Sequence, residues 1–248
     1  MREKTKDEYK KMLLRYKHLI YKEPKEVFES LKKMGLKMGY IKNVICAMKW
    51  ETGDEKYSEI IKEIIEETKK KEKFKNKFEK INWGAIKKPE SDTVDDMIKG
   101  LYTLFPPRRV TDYANMIYAD KIGEEEENYY VNGKFIFRNY KTVGKYGEQK
   151  FDVSKELREL IDKYVKKNEI ENGDALLKYR KGGLRFSRQS LMRRIKEIFG
   201  TTVDGLRHSY ITYIYNDKGK LFDIEKTSEM MGHDVKTHIG YLDKDNKY

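Results

Sequence analysis

Through roughly the first third of the chain, apolar side chains recur at three- and four-residue steps, a spacing that a helix gathers onto one buried face. Met12, Leu13, Tyr16, Leu19 and Ile20 predict an amphipathic helix over 5–22. Pro24 suits the first turn of a second helix running to Met34, with Gly35 as its stop. A third begins near Gly39 and buries Ile41, Val44, Ile45, Met48 and Trp50, leaving Lys42 and Lys49 on its other face. After a turn at Thr52–Asp54, a fourth spans 58–78 with Ile60, Ile61, Ile64 and Ile65 on one side. Its far end, the run Lys69–Lys75, is expected to extend past the packed region. These residues predict a small helical bundle with one basic side.

The short polar stretch Ile86–Ser91 is the expected boundary, dividing a helical domain at 1–86 from a second at 87–248. Beyond it, helices are predicted over 94–104 and 109–117, the latter with Asp112 in its first turn. Two short strands follow, at 134–137 and 150–153, with the acidic run Glu124–Glu127 as a solvated loop before them. Helices then return at 154–167, 187–199, 205–215 and 223–231. The fold class is mainly α with a small antiparallel β-sheet, an α+β arrangement.

Composition narrows the partners. No run reaches the roughly 18 apolar residues of a membrane span, and the basic N-terminus lacks a signal peptide's apolar stretch, so no membrane partner and an intracellular location are expected. The one cysteine, Cys46, and four histidines, His18, His208, His233 and His238, leave no material for a disulfide framework and little for a metal site. No metal or cofactor is expected. The net charge of +12 comes from 42 Lys and 12 Arg, a lysine-heavy mix that AT-rich coding produces whatever the function. Its distribution is more informative: residues 1–90 hold 25 basic and 16 acidic side chains, a net of +9. A surplus gathered in one third of the chain suits a polyanion, with nucleic acid first.

Two segments near the end carry the chemistry. Residues 204–213 read Asp-Gly-Leu-Arg-His-Ser-Tyr-Ile-Thr-Tyr, and 230–241 read Met-Met-Gly-His-Asp-Val-Lys-Thr-His-Ile-Gly-Tyr. Together they resemble the tyrosine recombinase (phage integrase) family, in which a Leu-Arg-His segment is followed by a Met/Leu-Gly-His segment and then a nucleophilic tyrosine. Here Arg207 and His233 are 26 residues apart and His233 and Tyr241 eight, slightly shorter than the family's last interval. Arg109 with Asp112, in Pro-Pro-Arg-Arg-Val-Thr-Asp-Tyr, matches the family's first arginine, and Arg108 is the alternative. Lys141 matches its hairpin lysine, with Lys145 and Lys150 flanking the same turn. The resemblance covers the second domain in the family's order, and the helical first domain is similar to the family's core-binding domain.

The resemblance implies a site-specific DNA recombinase or integrase of a virus or mobile element. It would act without metal or ATP, as a homotetramer on paired double-stranded DNA attachment sites held in a two-domain clamp. Tyr241 would attack the scissile phosphate, Arg109 and Arg207 would hold its oxygens, Lys141 would protonate the leaving oxygen, and His233 would donate to the phosphate. Candidate DNA contacts are Lys37, Lys42 and Lys49 in the first domain and Arg188, Arg193 and Arg194 in the second. His208 reads as a packing residue, His18 and His238 as surface residues, and Tyr248 as a frayed end. Only seven residues follow Tyr241, which limits any exchange between subunits to a small segment or to the tyrosine helix. One departure is chemical: Asp204 stands where the family has a histidine or lysine. Either Asp204 orients Arg207, or its proton affinity is raised, or another residue fills the role. A type IB topoisomerase and a catalytically silent DNA-binding protein of the same fold are the rival readings.

Overall fold

Pro24 opens helix α2 (Pro24–Lys33), where its missing N–H costs nothing because the first turn has no acceptor for it. A computed structural model describes residues 3–72, 81–179, 183–218 and 223–241. The chain divides into two units, residues 1–77 and 78–248. In the first, α1 (Glu3–Arg15), α2, α3 (Met38–Thr52) and α4 (Lys56–Glu72) enclose Leu19, Val27, Phe28, Leu31, Ile41, Val44, Ile45, Met48, Ile60 and Ile64. The helix expected over 5–22 ends at Arg15, and Lys17–Leu19 is a 3-10 turn instead. Gly53, at φ 68°, closes α3 in the left-handed region that glycine adopts without cost. Trp50 and Ile65, expected inside, are both more than a third exposed. The end of the run Lys69–Lys75 lies outside the described residues.

The second unit begins before the expected 86/87 boundary, because the segment preceding Ile86 packs on it. Ile81, Trp83 and Ile86 lie against its core, and the Trp83 ring meets Tyr210 edge-on at 5.0 Å. That core is aromatic, with Tyr102 edge-on to Tyr113 at 5.4 Å and Phe105 perpendicular to Phe135 at 5.2 Å. Its helices are α5 (Val94–Thr103), α6 (Val110–Ala114), α7 (Val143–Tyr146), α8 (Lys155–Asn168), α9 (Arg188–Phe199), α10 (Val203–Lys218), α11 (Ile224–Met230) and α12 (Val235–Tyr241). Thr93 caps α5 by accepting from the Asp96 N–H, and Ser154 and Ser187 cap α8 and α9 in the same way.

The sheet is mixed and has four strands in the order β1 (Met116–Tyr118), β2 (Asn128–Val131), β3 (Lys134–Phe137) and β4 (Gln149–Asp152). Only β3 and β4 are at expected positions. The helix expected over 109–117 stops at Ala114, and Met116–Tyr118 instead pairs parallel with Asn128–Tyr130. The β2–β3 hairpin turns on Asn132 and Gly133, both at positive φ (49° and 77°), the two-residue geometry that Asn-Gly favours.

A buried ion pair joins α6 to this core. Arg108 Nε donates to Asp112 Oδ2 at 2.9 Å with both side chains fully buried, and the guanidinium lies 3.7 Å above the Phe137 ring. Replacing Asp112 with Asn leaves a buried guanidinium without its counter-ion. The substitution should cost on the order of 3–5 kcal/mol. Urea unfolding followed by tryptophan fluorescence will read this as a lower midpoint at unchanged slope, and an unchanged midpoint would refute the pair's role.

Candidate active site

The Met-Gly-His segment is a helix ending. Helix α11 closes with the Gly232 N–H donating to Glu229 O (2.9 Å) and the His233 N–H to Ser228 O (3.1 Å). This is the paired closure that requires a left-handed residue at its centre, and Gly232 sits at φ 67°. A Cβ there would also lie 2.8 Å from Arg108 Nη2. The turn leaves three consecutive carbonyls, and each receives an arginine. Arg108 Nη1 donates to Met230 O (2.8 Å), Arg207 Nη1 to Met231 O (2.9 Å) and Arg109 Nη1 to Gly232 O (2.6 Å). Helix C-terminal carbonyls carry partial negative charge, which suits cations at this end.

The three arginines differ in what they have left to offer. Arg108 is consumed by Asp112, Met230 and the Gln149 side chain, which accepts from both Nη atoms at 3.2 Å. Asp112, the residue that pointed to Arg109 as the clamp, therefore belongs to Arg108. Arg109 stands at the N-terminal edge of α6, is half-buried, and has only the Gly232 contact among the described side-chain hydrogen bonds. Burial first, and the nearby Arg207 second, lower its proton affinity. Arg207 is fully buried on α10. Besides Met231 it donates to Pro107 O (2.7 Å) and, through Nη2, to His233 Nδ1, while its Nε–H has no acceptor among the described residues.

The aromatic side of the site comes from α12, which packs on α10 and α11. Asp234 starts it by accepting from the Thr237 N–H at 2.7 Å. The Thr237 hydroxyl first, then that backbone N–H, with help from Lys145, draw the Asp234 carboxyl down to about 2. Tyr241 ends the helix half-buried, its ring 5.3 Å from the Arg207 guanidinium and stacked on His233 at 5.4 Å and 22°. His208 meets that ring edge-on at 4.4 Å, and its Nδ1 lies 2.8 Å from Tyr241 O, in keeping with the packing role predicted for it. His238, read from the sequence as a surface residue, is fully buried, with Nδ1 3.1 Å from His233 Nε2. It lies three residues before Tyr241, on the same helical face, and that spacing was the available signal.

The structure thus brings together Arg109, Arg207, His233 and Tyr241. Lys141 is exposed in the connection between β3 and β4. That connection reaches the site through its neighbours. Thr142 Oγ1 donates to Gly232 O at 3.1 Å, and Lys145 Nζ is 3.5 Å from Asp234 Oδ2. Asp204 is exposed in the first turn of α10, where an acidic side chain favours the helix, and is not among the residues that hold Arg207.

The proposed DNA contacts divide. Arg188 and Arg193 are exposed on α9, and Lys37 is exposed at the start of α3. Lys42 is half-buried. Arg194 is instead an internal brace: its Nε and Nη2 form a fork on Asp95 at 2.7 and 2.6 Å, and Nη1 reaches Glu197. Lys49 is likewise paired, with Glu55 at 2.9 Å and Ser58 at 2.5 Å. Tyr248 and the rest of 242–248 lie outside the described residues. Among the described residues no cluster of His, Cys, Asp and Glu could hold a metal ion, and no helix is long and apolar enough to cross a membrane.

No protein-family model and no curated protein matches the chain. One solved structure that does, the crystal structure of XerA recombinase, is 14% identical. The match covers 99% of this chain and 89% of that one at a TM-score of 0.46.

Burial, and after it Arg207, push His233 down to about 2, and burial likewise pushes His238 to about 4. Both are neutral in the folded protein, whereas unfolded histidines take up protons near about 6.5. Below that pH the unfolded state binds more protons, so stability falls as pH drops. Thermal unfolding should therefore show a melting temperature that declines from pH 7 to pH 5, and His238→Asn should flatten the decline. An equal slope in the variant would rule out His238 as a source of the decline.

Proposed function

We propose that the chain is a DNA strand transferase of the tyrosine recombinase kind, cutting and rejoining DNA through a 3′-phosphotyrosyl intermediate without metal or ATP. The observation that carries this reading is the convergence of Arg109, Arg207, His233 and Tyr241 on the α11 ending. Two guanidiniums with unspent donors, one an unpartnered Nε–H on a fully buried arginine, suit the oxygens of a phosphate. An unsatisfied buried donor of this type costs about 1–3 kcal/mol, which an arriving oxyanion would offset.

In the proposed reaction Tyr241 Oη releases its proton to solvent and attacks the scissile phosphorus. The bond to the 5′-oxygen breaks, and that oxygen leaves with a proton supplied from Lys141. Arg109 and Arg207 neutralise the charge that builds on the non-bridging oxygens, where preorganised donors contribute most. His233 donates a further hydrogen bond to them. Attack of a 5′-hydroxyl on the phosphotyrosine reverses the step, so bond energy is conserved through ligation. The basic first unit, with Lys37 and Lys42, and Arg188 and Arg193 of the second, would contact phosphates of the duplex. Binding should then weaken steeply with salt. Integration by a virus or mobile element, action as a tetramer on paired attachment sites, and an intracellular location belong to this same reading.

The test uses nicked duplexes from a random-sequence pool, labelled at the 5′ end of the nicked strand so that the label stays with the 3′-phosphotyrosyl product, in the presence of EDTA and no nucleotide. Wild-type protein should form an SDS-resistant labelled adduct, and Tyr241→Phe none. Arg207→Ala should lower adduct formation by roughly 10²–10³-fold while leaving most DNA binding intact. DNA binding without any adduct would favour the silent reading, and relaxation of plasmid irrespective of sequence the topoisomerase.

A further inference from the structure

An arginine side chain has N–H donors and no acceptor, so the contact between Arg207 Nη2 and His233 has one possible direction. His233 Nδ1 accepts, and in a neutral imidazole the proton must then reside on Nε2. That nitrogen lies 3.1 Å from His238 Nδ1, which must accept in turn. The two rings meet at 61° with centroids 5.2 Å apart, and both side chains are buried, His238 completely. The hydrogen bonds therefore run one way, from Arg207 to His233 to His238.

This chain bears directly on the strand-transfer reading, on which the inference rests. If His233 is to donate to a phosphate oxygen, the proton must be on Nε2 and the ring must hold still. Arg207 settles the tautomer from one side, but its bond to Nδ1 leaves the ring's rotation and the Nε2–H direction open. His238 supplies the second point. It comes from α12, the helix that ends in Tyr241, whose ring stacks on the same imidazole. We infer that His238 is a positioning residue, which holds the His233 Nε2–H in place until a phosphate oxygen takes it over and couples the histidine to the seating of the tyrosine helix.

The variants separate acceptor chemistry from bulk. His238→Asn places a carbonyl oxygen near the position of Nδ1 and keeps an acceptor, whereas His238→Leu fills the space without one. Long-range proton–nitrogen NMR spectra of the full chain with labelled histidine read the His233 tautomer without any DNA. Wild-type protein and the Asn variant should show His233 protonated on Nε2 with that proton slow to exchange with water, whereas the Leu variant, its tautomer still set by Arg207, should lose the protection of the Nε2 proton. In single-turnover cleavage the Leu variant should be slower by roughly tenfold, with DNA affinity unchanged and the rate restored in the Asn variant. A wild-type spectrum with the His233 proton on Nδ1 overturns the inference outright, whether or not the Leu variant folds. So does an Asn variant as impaired as Leu, or a Leu variant whose His233 Nε2 proton is as protected from exchange as in wild type. Should no DNA yield an adduct with wild-type protein, the strand-transfer reading fails, and the protection of the His233 Nε2 proton alone decides whether His238 positions His233.

Discussion

Three consecutive peptide carbonyls, at Met230, Met231 and Gly232, hold the candidate site together, and each is bound by a different arginine. A helix that ends in a glycine turn satisfies its inner carbonyls by its own N–H groups and leaves the outermost ones directed away. Here those groups act as a template. Arg108 and Arg109 arrive from the segment before α6, and Arg207 from α10, so segments far apart in the chain are fixed to one short backbone stretch. Since each contact uses a charged donor on the negative end of a helix, it is stronger than a neutral hydrogen bond. The glycine is indispensable twice over, because any side chain at position 232 would meet both the left-handed backbone and the Arg108 guanidinium.

Crowding three cations has electrostatic consequences for everything beside them. Arg108 is neutralised by Asp112, its immediate counter-charge in a dry environment. Arg109 and Arg207 have no such partner among their side-chain contacts; burial first, and then the field of these arginines, lowers the proton affinity of His233. Neutrality gives that histidine the capacity to accept from Arg207 on one nitrogen and donate from the other, which an imidazolium could not do. The site thus has cationic donors beside a neutral histidine with a determined tautomer, and its net character invites an oxyanion. Asp204, the one acid expected to disturb it, is exposed at the start of α10 and is not among the groups that hold Arg207.

Much of this was legible in the chain itself. The apolar periodicity gave most of the longer helices to within a few residues, since burial of a helical face leaves a repeating trace in sequence. Helix α1, however, ends well short of the expected residue 22, and the short helices α7 and α12 were not among those expected. The two C-terminal motifs located Arg207, His233 and Tyr241. What escaped was set by pairing across the chain. Asp112 has the right spacing for either arginine, and only packing of Arg108 over Phe137 selects between them. Strand β1 reads as the end of a helix because its partner, Asn128–Tyr130, lies beyond an acidic loop that periodicity cannot see across. Arg194 and Lys49 look like free surface charge until Asp95 and Glu55 are found opposite them. Two misses were avoidable: Asn132–Gly133 is a hairpin signal in its own right, and His238 stands one helical turn before Tyr241.

The short interval between His233 and Tyr241 follows from the same local geometry. Because the glycine turn at 232 reverses the chain and Asp234 caps the next helix at once, α12 begins at Val235 with no intervening loop. Seven residues at about 1.5 Å each carry the chain about 10 Å. In that distance the helix turns twice and presents His238 and then Tyr241 to the same side, where both contact the His233 ring. A longer connection would detach the tyrosine from the imidazole unless further residues refilled the gap. The compact spacing is consistent with a site in which the histidine, its acceptor and the tyrosine move as one packed element. The arginines are bound to the carbonyls behind them, and of the four candidate residues only Tyr241 is carried by α12.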